Sequence, residues 1–173
     1  LLESTAAPIV LLAKKNRSNV AKEVAPDLAT LGFMLPNSPI HYLLFYYLLE
    51  KPSGDWLSKA QDIVLVVTSA NFSGGTIISD NLEAQEQLNA IADVVVGYNR
   101  EIVMKSDDSV MMNCGKHDVL LRRARGFAPK PYYFSYPLPQ VLGLGAQLKN
   151  TVTFTRGNKA FTSQYLGDMS SEH

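Results

Sequence analysis

The stretch Thr68-Ser69-Ala70-Asn71-Phe72-Ser73-Gly74-Gly75 follows the most apolar short run of the chain, Ile63-Val64-Leu65-Val66-Val67. A buried strand, a small polar loop and then a helix start form the geometry that turns backbone N–H groups and hydroxyls toward an anion. Ser69, Asn71 and Ser73 supply donors, and Gly74-Gly75 let a ligand come close to the backbone. The same residues also form side-chain turns with no ligand at all. No lysine stands where a Walker loop needs one, so that motif is excluded.

A second candidate is Arg122-Arg123-Ala124-Arg125-Gly126. On a strand, Arg123 and Arg125 share one face and Arg122 takes the other. Guanidinium groups grip phosphate or carboxylate in a fork, so this run can serve a phosphate or pair with Asp107 and Asp108. Those two acids are adjacent, and on a strand they face opposite ways, which argues against one shared metal. His41, His117 and His173 have no metal-ligand spacing, and Cys114 has no base at a recognisable interval. Tyr132, Tyr133, Phe134 and Tyr136 could stack on bases, but among prolines they suit pinning the chain to its own domain.

The elements that must position these residues read as α/β. Pro8–Ala13, Leu31–Leu35 and above all Ile63–Val67 are expected as strands, the last in the middle of a sheet covered on both faces. Arg17–Ala25 is expected as a short helix closed by Pro26. Ser38 and Pro39 start a helix over 41–50, apolar nearly all round and so expected to be packed inside. Asp80 and Glu83 have capping-box spacing for a helix running to Ala92. Short strands are expected at 94–96, 102–105, 109–112 and 119–121. The last two would pair across a turn in which Gly115 takes a positive φ. Residues 127–140, rich in proline, read as an extended linker. Beyond it, 151–156 and 159–164 read as a hairpin around Gly157-Asn158.

Composition bounds the rest. The 173 residues carry 16 basic and 16 acidic side chains, a formal net charge of zero. Nucleic acid or membrane binding therefore gains no global electrostatic support. A single cysteine precludes an internal disulfide and suits a reducing cytoplasm. No apolar run approaches the roughly 18 residues that span a bilayer. The start at Leu-Leu-Glu, without Met, leads us to expect a fragment.

Taken in order, LGFMLPNSPIHYLL (31–44), VVTSANFSGG (66–75), DDSV (107–110), LLRRARGFAPKP (120–131), LGLGAQLKNT (142–151) and SQYLGD (163–168) resemble the HypF carbamoyltransferases of [NiFe] hydrogenase maturation. The resemblance spans essentially the whole chain. It implies an α/β fold with a YrdC-like, mostly mixed, twisted open sheet and packed helices over 1–136. From 137 to 173 it implies the first β-hairpin of an actin-like, TsaD-related domain.

It further implies a reaction in which carbamoyl phosphate and ATP, with Mg, give carbamoyl-adenylate and pyrophosphate. The carbamoyl group then passes to the C-terminal cysteine of HypE. Ser69 and Asn71 fall in the family's Ser-Ala-Asn phosphate segment, and Ser73 just after it is a further candidate binding residue. Arg122 and Arg125 fall in its arginine-glycine segment, Ser109 in its serine-valine strand, and Lys149 and Asn150 in a turn where actin-like folds approach phosphate.

The family's upstream lysine–arginine segment and zinc-finger region would precede Leu1, and the TsaD-like metal histidines would follow His173. Met112 and Lys105 stand where the family usually carries arginine. The isolated chain is therefore expected to be inactive. A threonylcarbamoyl-AMP synthase and a non-catalytic YrdC-type RNA-binding module are the alternatives, the first disfavoured by the downstream hairpin, the second by the zero net charge.

Overall fold

Ile9–Ala13 forms β1, the centre from which the first sheet is built. A computed structural model describes residues 1–15, 20–72, 77–145, 150–164 and 166. The expectations placed on Ser73, Gly74, Gly75, Lys149 and His173, and on part of the 17–25 helix, lie outside these residues. β1 pairs antiparallel with β2 (Thr30–Phe33) and parallel with β3 (Val110–Asn113). β3 then pairs antiparallel with β4 (Asp118–Arg122), so the sheet is mixed, in the order β2-β1-β3-β4. The β3–β4 turn is the expected one: Cys114 N–H donates to His117 O at 2.8 Å, and Gly115 takes φ +84°.

The second sheet is antiparallel throughout, in the order 132–133, 159–162, 152–156, 142–144. β7 (Val152–Arg156) and β8 (Lys159–Thr162) form the expected hairpin, with Gly157 at φ +61° in its turn. Leu142–Leu144, as β6, extends it on one side. On the other side lies β5, Tyr132–Tyr133, taken from the stretch read as a linker. Proline cannot donate to a ladder and is confined to sheet edges. Pro131 immediately precedes this two-residue strand, which stands at the edge of the sheet.

Among the described residues two α-helices accompany the sheets, and the described part of the expected 17–25 helix forms only a 3-10 turn over Lys22–Val24. In α2 (Asn81–Leu88) the Asp80 carboxylate accepts from the N–H groups of Leu82 and Glu83 at 2.8 and 2.9 Å, the N-cap its sequence predicts. The helix ends four residues before Ala92. α1 (Pro39–Leu48) starts at Ser38 and Pro39 as expected, but the Ser38 side chain makes no cap bond.

The expectation that α1 lies inside is wrong. None of its residues is buried, and Ile40, Leu43, Tyr47 and Leu48 are about half exposed. Nor does 63–67 form a strand, and Val64, Val66 and Val67 are more than 60% exposed. The expected strands at 94–96 and 102–105 are likewise absent. Apolar, β-branched composition records a demand for cover, and a strand appears only where a neighbouring edge pairs with it. The accessible surface, 13571 Å², far exceeds the roughly 8,400 Å² of a compact monomer of this mass. The core is correspondingly small: Pro8, Val10, Ser109, Met111 and Ala124 in the first sheet and its flanks, and Thr155 and Ala160 in the second.

Candidate nucleotide site

The Ser-Ala-Asn loop is closed on itself. Ser69 Oγ donates to Asn71 Oδ1, Asn71 Nδ2 donates to the Phe72 carbonyl at 2.7 Å, and Ile78 N–H donates to Ala70 O at 2.9 Å. This is the side-chain turn that its residue types allow. It also fixes the two polar groups next to each other at the surface, Ser69 exposed and Asn71 half-buried. The Asn71 amide carries two hydrogens, so its bond to Phe72 does not exhaust it.

The arginine run departs from strand alternation. β4 ends at Arg122, after which the chain is taken up by Ser109. Ser109 is fully buried; its hydroxyl donates to Arg125 O at 2.9 Å and accepts from Ala124 N–H at 2.8 Å. A parallel bridge between Asp108 and Arg125 follows, and Gly126 turns at φ +87°.

This turn puts Arg122 and Arg125 together and sends Arg123 elsewhere, the reverse of the expected pairing. Arg125 Nε and one terminal nitrogen donate to Asp108 Oδ1 at 2.9 and 2.7 Å, and the same terminal nitrogen reaches Ala7 O at 3.0 Å. Arg122 Nε donates to Asp108 O at 2.8 Å, and one of its terminal nitrogens lies 3.8 Å from the Asp107 carboxylate. The acidic pair therefore orients the arginines. Burial raises the Asp107 carboxyl above its ordinary range; Arg122 lowers it in part and Asp108 adds to the rise.

Ser109, proposed from sequence as a ligand contact, has its hydroxyl committed to two backbone groups inside the core. Asn150 lies in the other sheet's β6–β7 connection. Its Oδ1 is buried without a hydrogen-bond partner among the described residues, and a Cβ on Gly145 would come within 2.2 Å of it. The residues predicted from sequence thus fall into three places: the Ser69–Asn71 loop, the Arg122–Arg125 turn with Ser109, and Asn150.

Sequence reasoning overlooked a cleft of about 610 Å³ between the N-terminal segment, the start of α1 and residues 56–63. Asn37, Tyr42, Trp56, Lys59 and Gln61 line it, with Ala7 and Ile63. Two links tie it to the arginine turn: Ala7 O accepts from Arg125, and Met34 Sδ contacts both Arg125 and Asn37. The Pro36-Asn37-Ser38-Pro39 turn was its one legible signal. His41 Nδ1 accepts from Asn37 N–H at 3.3 Å and so helps hold that turn.

The family model described as "Telomere recombination" (Sua5, YciO and YrdC) matches residues 1–124, and the one described as "HypF Kae1-like domain" matches 137–173. Carbamoyltransferase HypF2 of Cupriavidus necator is 44% identical over 98% of the chain and 22% of its own length. Carbamoyltransferase HypF of Rhizobium leguminosarum is 41% identical over 98% of the chain and 21% of its own. The chain spans about a fifth of these curated relatives. The crystal structure of a full-length HypF in a phosphate- and nucleotide-bound form superposes with a TM-score of 0.81 at 42% identity, covering 99% of the chain and 25% of that protein. A T. kodakarensis HypF superposes equally well at 34% identity, covering 98% of the chain and 20% of that protein.

Proposed function

We propose, since the chain belongs to the HypF family of carbamoyltransferases, that it serves the nucleotide-activating step of an ATP-dependent carbamoyl transfer. Residues 1–136 form the activating unit and 137–173 open the transferring unit. The observation that carries this reading is the order of the two family matches along one chain, together with its 42% identity to a HypF solved with nucleotide and phosphate.

In the proposed reaction, carbamoyl phosphate and water give carbamate and phosphate. A carbamate oxygen attacks the α-phosphorus of Mg-bound ATP, the bond to pyrophosphate breaks, and carbamoyl-adenylate forms. A thiolate sulfur, on the C-terminal cysteine of HypE, then attacks the carbamoyl carbon. The C–O bond to AMP breaks, and the thiol proton goes to solvent.

Holding a triphosphate beside a second anion needs donors and cations fixed in advance, because electrostatic preorganisation is usually the largest contribution at such a site. Ser69 and Asn71 contact the phosphates once the Ser69 hydroxyl turns from Asn71 to the ligand, and Ser73, two positions further along the sequence, is a third candidate donor. Arg122 and Arg125, held by Asp107 and Asp108, cover the same site, and Ser109 acts through them by fixing their backbone. Lys149 and Asn150 belong to the second unit's phosphate turn. The Kae1-like match at 137–173 favours this reading over a threonylcarbamoyl-AMP synthase, which has no need of the second unit.

Asn71→Ala in a protein of the relatives' full length is expected to weaken ATP binding by about 1.5–3 kcal/mol, or roughly ten- to a hundredfold. Isothermal titration with ATP reads this directly. Unchanged affinity in both Asn71→Ala and Ser69→Ala would remove the loop from the site.

A further inference from the structure

Arg123 does none of the work proposed for its neighbours. Its side chain leaves the Asp107–Asp108 cluster and crosses to the second sheet. One terminal nitrogen donates to Thr162 O, the last residue of β8, at 2.5 Å. The other donates to Phe127 O at 2.9 Å and to Lys130 O. The guanidinium also lies over the Tyr132 ring of β5, 5.1 Å from its centre. A planar fork with several fixed donors is suited to gathering three carbonyls and a ring face at once.

A second strap runs in parallel: the Gln164 side chain donates to Lys105 O, two residues before Asp107. Both straps end at one place in the first unit. Arg123 shares a turn with Arg122 and Arg125, and Lys105 leads into the aspartates that hold those arginines. Arg125 in turn reaches Ala7 on the cleft wall. A contiguous chain of bonds therefore joins the end of β8 to the Arg122–Arg125 turn and the cleft.

We propose that Arg123 is a positioning residue that latches the second sheet to the arginine turn of the first, so that the unit which activates the carbamoyl group and the unit which transfers it keep one relative orientation. The role in transfer rests on the function proposed above; the latch itself does not. The terminal nitrogens of Arg123 are committed to the Thr162, Phe127 and Lys130 carbonyls, so activation proceeds without it, whereas transfer requires the second unit to be held where the activated group is made.

The experiment compares Arg123→Ala, Arg123→Lys and the milder Tyr132→Leu with the unsubstituted protein, each in a chain of the relatives' full length. Chymotrypsin cleavage after Tyr133 or Phe134, sites that all three variants retain, reports the latch. Carbamoyl-phosphate-dependent ATP–pyrophosphate exchange reports activation, and carbamoylation of the acceptor thiol reports transfer. Arg123→Ala is expected to be cut about tenfold faster and to transfer at least tenfold more slowly, with exchange within twofold of the unsubstituted rate. Arg123→Lys should follow it closely, because lysine keeps the charge but cannot form the fork. Tyr132→Leu should move cleavage and transfer in the same direction by less.

Unchanged cleavage in all three variants would overturn the latch. Faster cleavage with unchanged transfer, or an equal fall in exchange and transfer, would overturn the positioning role. If the unsubstituted protein shows no exchange at all, the functional reading fails, and the cleavage rates still decide the latch.

Discussion

Gly126→Ala is expected to destabilise the chain by about 2–5 kcal/mol, read as a drop in the urea midpoint at unchanged slope. Gly126 stands at φ +87°, where an L side chain clashes with its own backbone at a cost of about 1–2 kcal/mol. Its added Cβ would also meet Ala6 O at 2.5 Å and Ala6 Cα at 2.6 Å. Backbone atoms cannot swing aside as the tip of a long side chain can. The neighbouring residue Ala7 is held by Arg125, so yielding there pulls on the arginine turn, and overpacking of this kind costs about 1–3 kcal/mol more. Gly115 supplies the control. It has nearly the same φ, +84°, with nothing within 4 Å of its would-be Cβ. Gly115→Ala should therefore lose only the conformational part. Equal losses at the two glycines would show that the approach of Ala6 does not constrain the turn.

Ser109→Ala is the second large effect, expected at about 2–4 kcal/mol. The hydroxyl is fully buried and ties the chain entering β3 to the arginine turn: it accepts from Ala124 N–H and donates to Arg125 O. Ala124 is itself fully buried, so its N–H is left with no water to turn to. A buried donor stripped of its partner costs about 1–3 kcal/mol, and the Arg125 carbonyl loses a bond besides. Equilibrium unfolding in urea checks the figure. A change under about 0.5 kcal/mol, the usual range for surface substitutions, would mean that the turn is held by other contacts.

The parts of the fold visible in the sequence are those fixed by local chemistry. Asp80 caps α2 because its carboxylate reaches the first free N–H groups, a matter of three residues. Gly115 and Gly157 make their hairpin turns for the same local reason, and the alternation in 151–164 needs only its own partner strand. The failures are non-local. Nothing within Ile63–Val67 says whether a sheet edge waits beside it, and nothing in α1 says what covers Leu43 or Tyr47. The edge strand β5 was hidden by prolines, which mark an edge as readily as a linker.

The site divides along the same line. That Ser69 and Asn71 share a loop was legible, since turn residues cluster in sequence. The assignment of the three arginines was not. Strand alternation grouped Arg123 with Arg125, whereas Ser109, distant in sequence and buried beneath the run, acts with the Asp108–Arg125 bridge to turn the chain so that Arg125 joins Arg122 on the aspartates. The cleft beside Asn37 and Trp56 likewise draws its walls from three separate segments that no spacing connects.

We propose that the unit spanning residues 1–136 activates a carbamoyl group on ATP. The most direct test is exchange of labelled pyrophosphate into ATP by a protein of the relatives' full length carrying this chain. Exchange that depends on carbamoyl phosphate, and that falls with Asn71→Ala, is the predicted result. Exchange that instead requires threonine and bicarbonate, or no exchange under either condition, would contradict it.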